Sequence, residues 1–451
     1  MKKKGYTQDM TVGSPYRLMV GFALPVFFSA VFQQLYNTVD ALIVGRFLGT
    51  NALAAVTSSG TLIFLMISFF MGVAMGAGVV ISRYFGARRE RLVSQAVHTV
   101  LAFGLLSGIL LTVIGVAFTP TLLRWMQTDP AVLGEAIQYF RYYFMGALAV
   151  MMYNICRSIL NALGDSRRPL YYLIISSVIN VALDLLFIAV FRWGVWAAAF
   201  ATVLSQLFSA GLCMAHLLQK GHIYSVEIRK IRFHGNLLAE ILKNGIPAGV
   251  QNSVIAFANV IVQSQINSFG RIAMAAYGTH AKIEGFAFLP ITSFNMASTT
   301  FVSQNLGAGK ADRAKKGARF SIWSAVLLAE GIGIFCYAFA PQLFAFFDTN
   351  PGVIELGVLQ ARTVSPFFCL LAFSHSIAAI CRGAGRAMVP MFIMLSIWCV
   401  VRIAYIALVM YFFGEIRYIY WAYPITWAIS SVIYLFYYLR SDWADGFVSR
   451  E

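Results

Sequence analysis

The chain has 451 residues, 59% hydrophobic and only 12% charged, with a mean hydropathy of +0.74. A soluble globular chain is about half apolar and about one quarter charged, so a soluble enzyme, a disordered chain and a secreted disulfide scaffold are excluded. The net charge of +16 would suggest nucleic acid in a soluble protein, but here the basic residues stand in short loops between apolar runs and report membrane topology.

The chain opens on Lys2, Lys3 and Lys4 and stays polar through Pro15. The apolar run that follows is too long for a signal-peptide h-region, so the first segment is its own insertion signal. Twelve segments reach the ~20 mostly apolar residues that a spanning helix needs. They cover 16–45, 52–82, 92–120, 134–160, 168–191, 194–219, 237–268, 272–303, 317–340, 355–381, 388–413 and 418–439. Several are long enough to require tilt or bending, and Pro25, Pro247 and Pro290 are candidate kinks. Cys156, Cys213, Cys336, Cys369, Cys381 and Cys399 all fall inside apolar runs without metal spacing and read as small core residues.

Basic residues orient the segments. The termini and the loops after even-numbered segments hold 25 Lys/Arg, and the opposite loops hold seven, which places both termini in the cytoplasm. The longest loop, 220–236, divides the chain into an N-lobe (16–219) and a C-lobe (237–440), flanked by cytoplasmic segments 1–15 and 441–451. A shift of 221 residues pairs Gly49 with Gly270, Ser82 with Ser303, Gly86-Ala87 with Gly307-Ala308, Pro120 with Pro341, Gly164 with Gly385 and Pro169 with Pro390. Each half has six segments and starts on the same side, so the repeat is parallel, a layout of secondary transporters with the binding site between the halves. The fold class expected is an all-α polytopic membrane protein of twelve transmembrane helices in two pseudo-symmetric six-helix lobes.

Ionisable groups inside spans are costly and each is a functional hypothesis. Asp40, Asp184 and Thr202 lie six to eight residues from the outer ends of segments 1, 5 and 6, roughly 9–12 Å deep at 1.5 Å per residue. Asn180 precedes Asp184 by four residues and shares its face. These oxygen donors suit a hard cation such as sodium, and two nearby carboxylates in low dielectric suit a proton equally. The alternative is that the two acids pair separately with polar neighbours. The repeat maps Asn180, Asp184 and Thr202 onto Val401, Tyr405 and Tyr423, so the acid cluster belongs to the first half alone.

The second half carries Lys282, Glu284, Glu330 and Arg402 near mid-membrane. They could neutralise one another as a buried network or form a second coupling or substrate site. His280, four residues before Glu284, could join a proton relay or be a core histidine. Gln33, Gln34, Tyr36 and Asn37 in segment 1, and Gln251, Asn252, Asn259 and Gln263 in segment 7, are unusual against lipid. They suggest a substrate cleft (Gln34, Tyr36, Asn37, Gln251, Asn259, Glu284) or interhelical hydrogen bonds. Gly72-x3-Gly76 and Gly104-x3-Gly108 read as close helix packing.

Gly309-Lys310 is not a P-loop, because Gln304 and Ala311 stand where Gly and Ser/Thr are needed. Without a nucleotide site, active transport must run on an ion gradient. HExxH, GxSxG, an Arg-rich voltage sensor and a TVGYG filter are also missing, which speaks against an enzyme and a channel.

Four features together carry a family resemblance. Leu35-Tyr36-Asn37-Thr38-Val39-Asp40 leads to Gly45-Arg46-Phe47-Leu48-Gly49; Gly-Ala and a basic loop follow segments 2 and 8; Leu163 to Pro169 opens segment 5; and Asn180-x3-Asp184 precedes Gly194 and Ala201-Thr202. Over about residues 15–440 the chain resembles the multidrug and toxic compound extrusion (MATE) family of ion-coupled antiporters. Segment 5 departs from the family's usual Thr-Arg-Thr-Pro entry with Ser166-Arg167-Arg168-Pro169, in a cytoplasmic loop away from the acids. The resemblance implies a cation or proton site at Asp40, Asn180, Asp184 and Thr202 (a sodium site if sodium is the coupling ion) and export of amphipathic organic cations. It implies no cofactor beyond sodium ion or proton, no nucleic acid, a monomer in the lipid bilayer, and placement in a bacterial cytoplasmic membrane. A lipid-linked precursor flippase of the same superfamily is the runner-up, and a channel or scaffold the third reading.

Overall fold

In a computed structural model that describes residues 8–125, 128 and 130–445 (side chains of 50, 57–61 and 65 excepted), glycine and proline punctuate the chain into twelve helical runs. They are α1 (Pro15–Leu48), α2 (Thr50–Gly86), α3 (Glu90–Trp125), α4 (Pro130–Met145 continued by Ala147–Ala162), α5 (Arg167–Val190), α6 (Trp196–Leu217), α7 (Gly235–Asn267), α8 (Arg271–Gly307), α9 (Ala311–Ala338), α10 (Pro351–Gly383), α11 (Met388–Phe412) and α12 (Ile416–Arg440). A short helix, Ala340–Phe347, follows α9. The starting triplet Lys2–Lys4 and the tail beyond residue 445 lie outside the described residues.

Pro130 and Pro351 open α4 and α10, where a missing N–H would have no partner anyway. α4 bends by 50° at its break. Gly146 stands there because a Cβ would meet Val203 of α6 at 2.2 Å. Counting α4 as one span, eleven of the twelve runs are apolar and long enough to cross a bilayer. The exception is α8. Its 37 residues are ample, but His280, Lys282 and Glu284 in its middle and a polar second half lower its hydropathy.

The repeat appears in the backbone. Gly49 and Gly270 precede α2 and α8 with φ 93°, ψ −176° and φ 95°, ψ −176°. Arg88 and Gly309 follow the same two helices with φ 55° and 71°, and Gly164 and Gly385 have φ 80° and 74°. Each pair is 221 residues apart. The fifth helix of each half also contains a π-helical stretch, Leu185–Val190 in α5 and Leu395–Val401 in α11.

The chain forms two compact units. One comprises Phe28–Ile246 with the described residues up to Asp9, and the other comprises Met10–Phe27 and the chain from Pro247 onward. The divisions therefore fall beside Pro25 and Pro247, within α1 and α7, and not at the 220–236 linker that the sequence suggests. Packing explains the difference. Met19, Phe22 and Ala23 of α1 are buried with Ala297 and Phe301 of α8 in the second unit. Leu237 and Ile241 of α7 join the core of the first unit with Val73, Ala77 and Tyr153. The linker itself docks on α3. Glu227 N–H donates to His98 Nε2 (3.0 Å) and His234 N–H to Thr99 Oγ1 (3.3 Å).

Candidate cation and substrate sites

In the first unit, α1, α5 and α6 bury Asp40, Asn180, Asp184 and Thr202, with Asp184 at 0% exposure. Asn180 Nδ2 donates to Thr202 Oγ1 at 3.5 Å, and Ser176 Oγ donates to Ser205 O at 2.8 Å, so polar contacts tie α5 to α6. The carboxyl groups of Asp40 and Asp184 lie within interaction range of each other. Asp184 is the last α-helical residue before the π-helical stretch of α5. Such wide turns occur often at functional sites because they change the register of the side chains that follow.

The hydrogen-bond accounting is lopsided. Asp40 Oδ1, Asn180 Oδ1, both carboxylate oxygens of Asp184 and Gln206 Oε1 are buried and accept no hydrogen bond among the described residues. Buried acceptors without donors cost free energy, and an uncompensated carboxylate costs most. Such a group of oxygens has the chemistry to hold a cation or a proton. Sodium fits the donor set, since carboxylate and amide oxygens are its usual ligands.

Two neighbours were not legible as site residues. Gln206 follows Thr202 by one helical turn, and Tyr36 comes within hydrogen-bonding range of it and of Gln33. Tyr139, brought in by α4, lies within electrostatic reach of both acids. The i+4 spacing from Thr202 to Gln206 could have signalled the first, but nothing local marks the second.

The six residues expected to line a cleft fall three in each unit. Gln34 and Tyr36 are half-buried and Asn37 is exposed; Gln251 is buried, Asn259 exposed and Glu284 half-buried. Gln251 Nε2 donates to Met394 Sδ, while its Oε1 has no donor among the described residues. His280 is buried with both ring nitrogens unpartnered among the described residues, its ring nearly parallel to Phe344. The paired glycines do pack closely: a Cβ on Gly108 would meet Leu148 at 2.7 Å. All six cysteines are free thiols, buried or half-buried.

The second unit has opposite polarity at the corresponding place. Arg402, 2% exposed, follows the counterpart of Asn180 by one residue. Its Nε and Nη2 donate to Thr426 Oγ1 at 3.3 and 2.9 Å. The guanidinium lies 5.2 Å from the Trp398 ring centre and 4.8 Å from that of Tyr423. Tyr423 in turn shares a 2.9 Å hydrogen bond with Tyr277. Among the described residues Lys282, Glu284, Glu330 and Arg402 form no network of ion pairs, although Arg402 and Glu284 lie within electrostatic reach of each other. Lys282 is exposed and the two glutamates are half-buried. Aromatic rings and a hydroxyl make the close contacts to Arg402.

The MatE family model matches residues 25–186 and 247–408, one stretch in each half. The Bacillus subtilis protein named probable multidrug resistance protein YoeA is 31% identical over 441 residues, 96% of this chain and 95% of its own length. Among solved structures, a MOP superfamily transporter from Pyrococcus furiosus described as having a binding pocket of reversed polarity superposes with a TM-score of 0.91. It is 22% identical, with 99% of each chain covered. An outward-facing multidrug resistance MATE family transporter of the MOP superfamily gives 0.90 at 22% identity, with 98% of each chain covered. At that identity the structures share the fold alone.

Proposed function

The chain belongs to the MatE family of membrane transporters, and on that premise we propose that it is an antiporter exporting amphipathic organic cations against the entry of sodium ions or protons. It is a multi-pass membrane protein and a transporter, not an enzyme. The name of the Bacillus subtilis relative supports drug export. The observation that carries ion coupling is the set of buried, donorless oxygens on Asp40, Asn180, Asp184 and Gln206. With Thr202 beside them, they take up one sodium ion or one proton shared by the two carboxyls.

Filling the site removes the penalty of buried negative charge and so favours whichever conformation closes around it. Coupling then requires that ion and drug differ in affinity between the states that alternate access across the membrane. Gln34, Tyr36, Asn37, Gln251, Asn259 and Glu284 supply polar contacts to the drug. The chain works as a monomer in a bacterial cytoplasmic membrane, with the 25 basic residues of the termini and even loops inside. A flippase for lipid-linked precursors would call for further helices or a strongly cationic cavity. The twelve described helices and the exposure of Lys282 do not favour it.

The test uses the purified chain in liposomes, a fluorescent organic cation and an imposed sodium or proton gradient. Dye movement driven by one gradient and lost in folded Asp40→Asn and Asp184→Asn proteins is expected, and names the ion. No movement under either gradient, or wild-type rates in both variants, would overturn the proposal.

A further inference from the structure

α12 starts at Ile416, while α10 has already run eleven residues from Pro351 by the time it reaches Arg362. The first turns of α12 and the flank of α10 border an open surface pocket of about 460 Å³ lined by Glu355, Leu359, Arg362, Phe367, Arg417 and Trp421, among others. Glu355, Leu359 and Arg362 follow i, i+4, i+7 spacing and so share one face of α10. α12 has 25 residues, about 37 Å at 1.5 Å per residue, which just exceeds the ~30 Å hydrocarbon core. Arg417 near its start and Arg440 at its end therefore mark the two water–lipid boundaries, and the pocket lies at headgroup depth on the face opposite the basic loops.

The charges in this pocket are unspent. The Arg362 guanidinium stands 5.6 Å over the Tyr337 ring and that of Arg417 5.9 Å over Tyr418. Neither forms an ion pair among the described residues. With no ion pair taken up among the described residues, their N–H groups are available to phosphate oxygens. The start of α12 adds the partial positive charge of a helix N-terminus. Phe367 and Trp421 meet edge to face at 5.8 Å and form an apolar wall, with Trp421 at the depth where tryptophan favours the membrane interface. Glu355 is the pocket's carboxylate, two turns from Arg362.

We infer that this pocket binds the headgroup of a membrane phospholipid, its phosphate on Arg362 and Arg417, its glycerol end against Phe367 and Trp421, and a headgroup ammonium on Glu355. The site is separate from the acid cluster of the first unit and does not depend on the antiport reading.

The test takes the delipidated full chain in detergent and measures bound lipid by native mass spectrometry with phosphatidylethanolamine, phosphatidylglycerol or diacylglycerol added. The two phospholipids are expected to be retained and diacylglycerol not. Arg362→Gln with Arg417→Gln should weaken phospholipid binding about thirtyfold, the loss expected for two basic residues at a membrane surface, and the paired Lys substitutions should restore most of it. Glu355→Gln should lower phosphatidylethanolamine retention while sparing phosphatidylglycerol. Equal retention by wild type and the double Gln variant overturns the assignment. If that variant does not fold, an unchanged phosphatidylethanolamine-to-phosphatidylglycerol ratio in Glu355→Gln does so. Glycerol 3-phosphate is the water-soluble arm. If it displaces the lipid at equal concentration, the ligand is a free phosphate ester and the lipid assignment falls.

Discussion

Gly76 of α2 and Gly245 of α7 meet backbone to backbone: a Cβ on Gly76 would stand 2.3 Å from the Gly245 nitrogen. This contact, with Glu240 accepting from Arg83 Nη1 and Tyr84 OH at 2.7 Å each, clamps the first half of α7 into the first unit. Gly76→Ala or Gly245→Ala is expected to cost about 1–3 kcal/mol, the usual penalty for overpacking. Gly211→Ala, with nothing within 4 Å, should be neutral or mildly stabilising. Thermal midpoints of the three proteins in detergent check the order.

Arg88 and Gly309 occupy the same left-handed turn in the two halves. Each donates its N–H at 3.1 Å to the residue three before it, Phe85 or Leu306. A side chain there costs about 1–2 kcal/mol. Arg88→Gly should therefore raise the thermal midpoint and Gly309→Ala lower it. The contact that Arg88 gives up is a 4.0 Å exposed ion pair with Asp9, which contributes little. A fall in the midpoint for Arg88→Gly would show that the turn is not strained.

Arg402 lies between Trp398 and Tyr423 with two donors on Thr426. Lysine carries the charge but has neither the planar face nor the fork. Methionine removes the charge that had to be buried. Arg402→Lys is expected to be less stable than Arg402→Met by about 1–2 kcal/mol, the scale of a desolvated cation–π contact. Chemical denaturation in mixed micelles checks the order.

The linker between the two repeats is sensitive to acid through His234. Burial first, and the nearby Arg232 charge second, hold its imidazolium below the ordinary histidine range. The undocked linker then binds a proton more readily than the docked one. Docking is at full strength above about pH 6.5 and weakens as pH falls through that value. Hydrogen exchange at the residue 234 amide, which donates to Thr99 Oγ1, corrected for intrinsic rate, should accelerate below pH 6.5, and His234→Asn should flatten that dependence.

Much of the fold is written in residue patterns that act locally. Apolar runs of spanning length, basic loops on one side and paired glycines 221 residues apart each depend on solvation or on backbone sterics within a few residues. α8 is the informative exception, since it is helical while its central charges keep it from being apolar enough to count as a span. Asp40, Asn180, Asp184 and Thr202 could be matched by depth alone, because helical rise converts sequence distance into height. Depth says nothing about which way a side chain faces. It therefore could not recruit Tyr139 from α4, nor separate the exposed Lys282 from the buried Arg402.

By itself, the amino-acid sequence determined the number of helices, their order in two repeats, and the presence of the Asp40 and Asp184 pair in the first half only. These follow from transfer free energies and from the conformational needs of single residues. Tertiary structure alone decided where one unit ends and the other begins. The halves of α1 and α7 join whichever core buries them, as Phe22 does against Phe301 and Ile241 beside Val73, and burial depends on partners hundreds of residues away. It also decided that the oxygens around Asp184 lack donors while Arg402 finds its partners in rings and a hydroxyl, since hydrogen bonding across helices depends on how each helix is rotated about its axis.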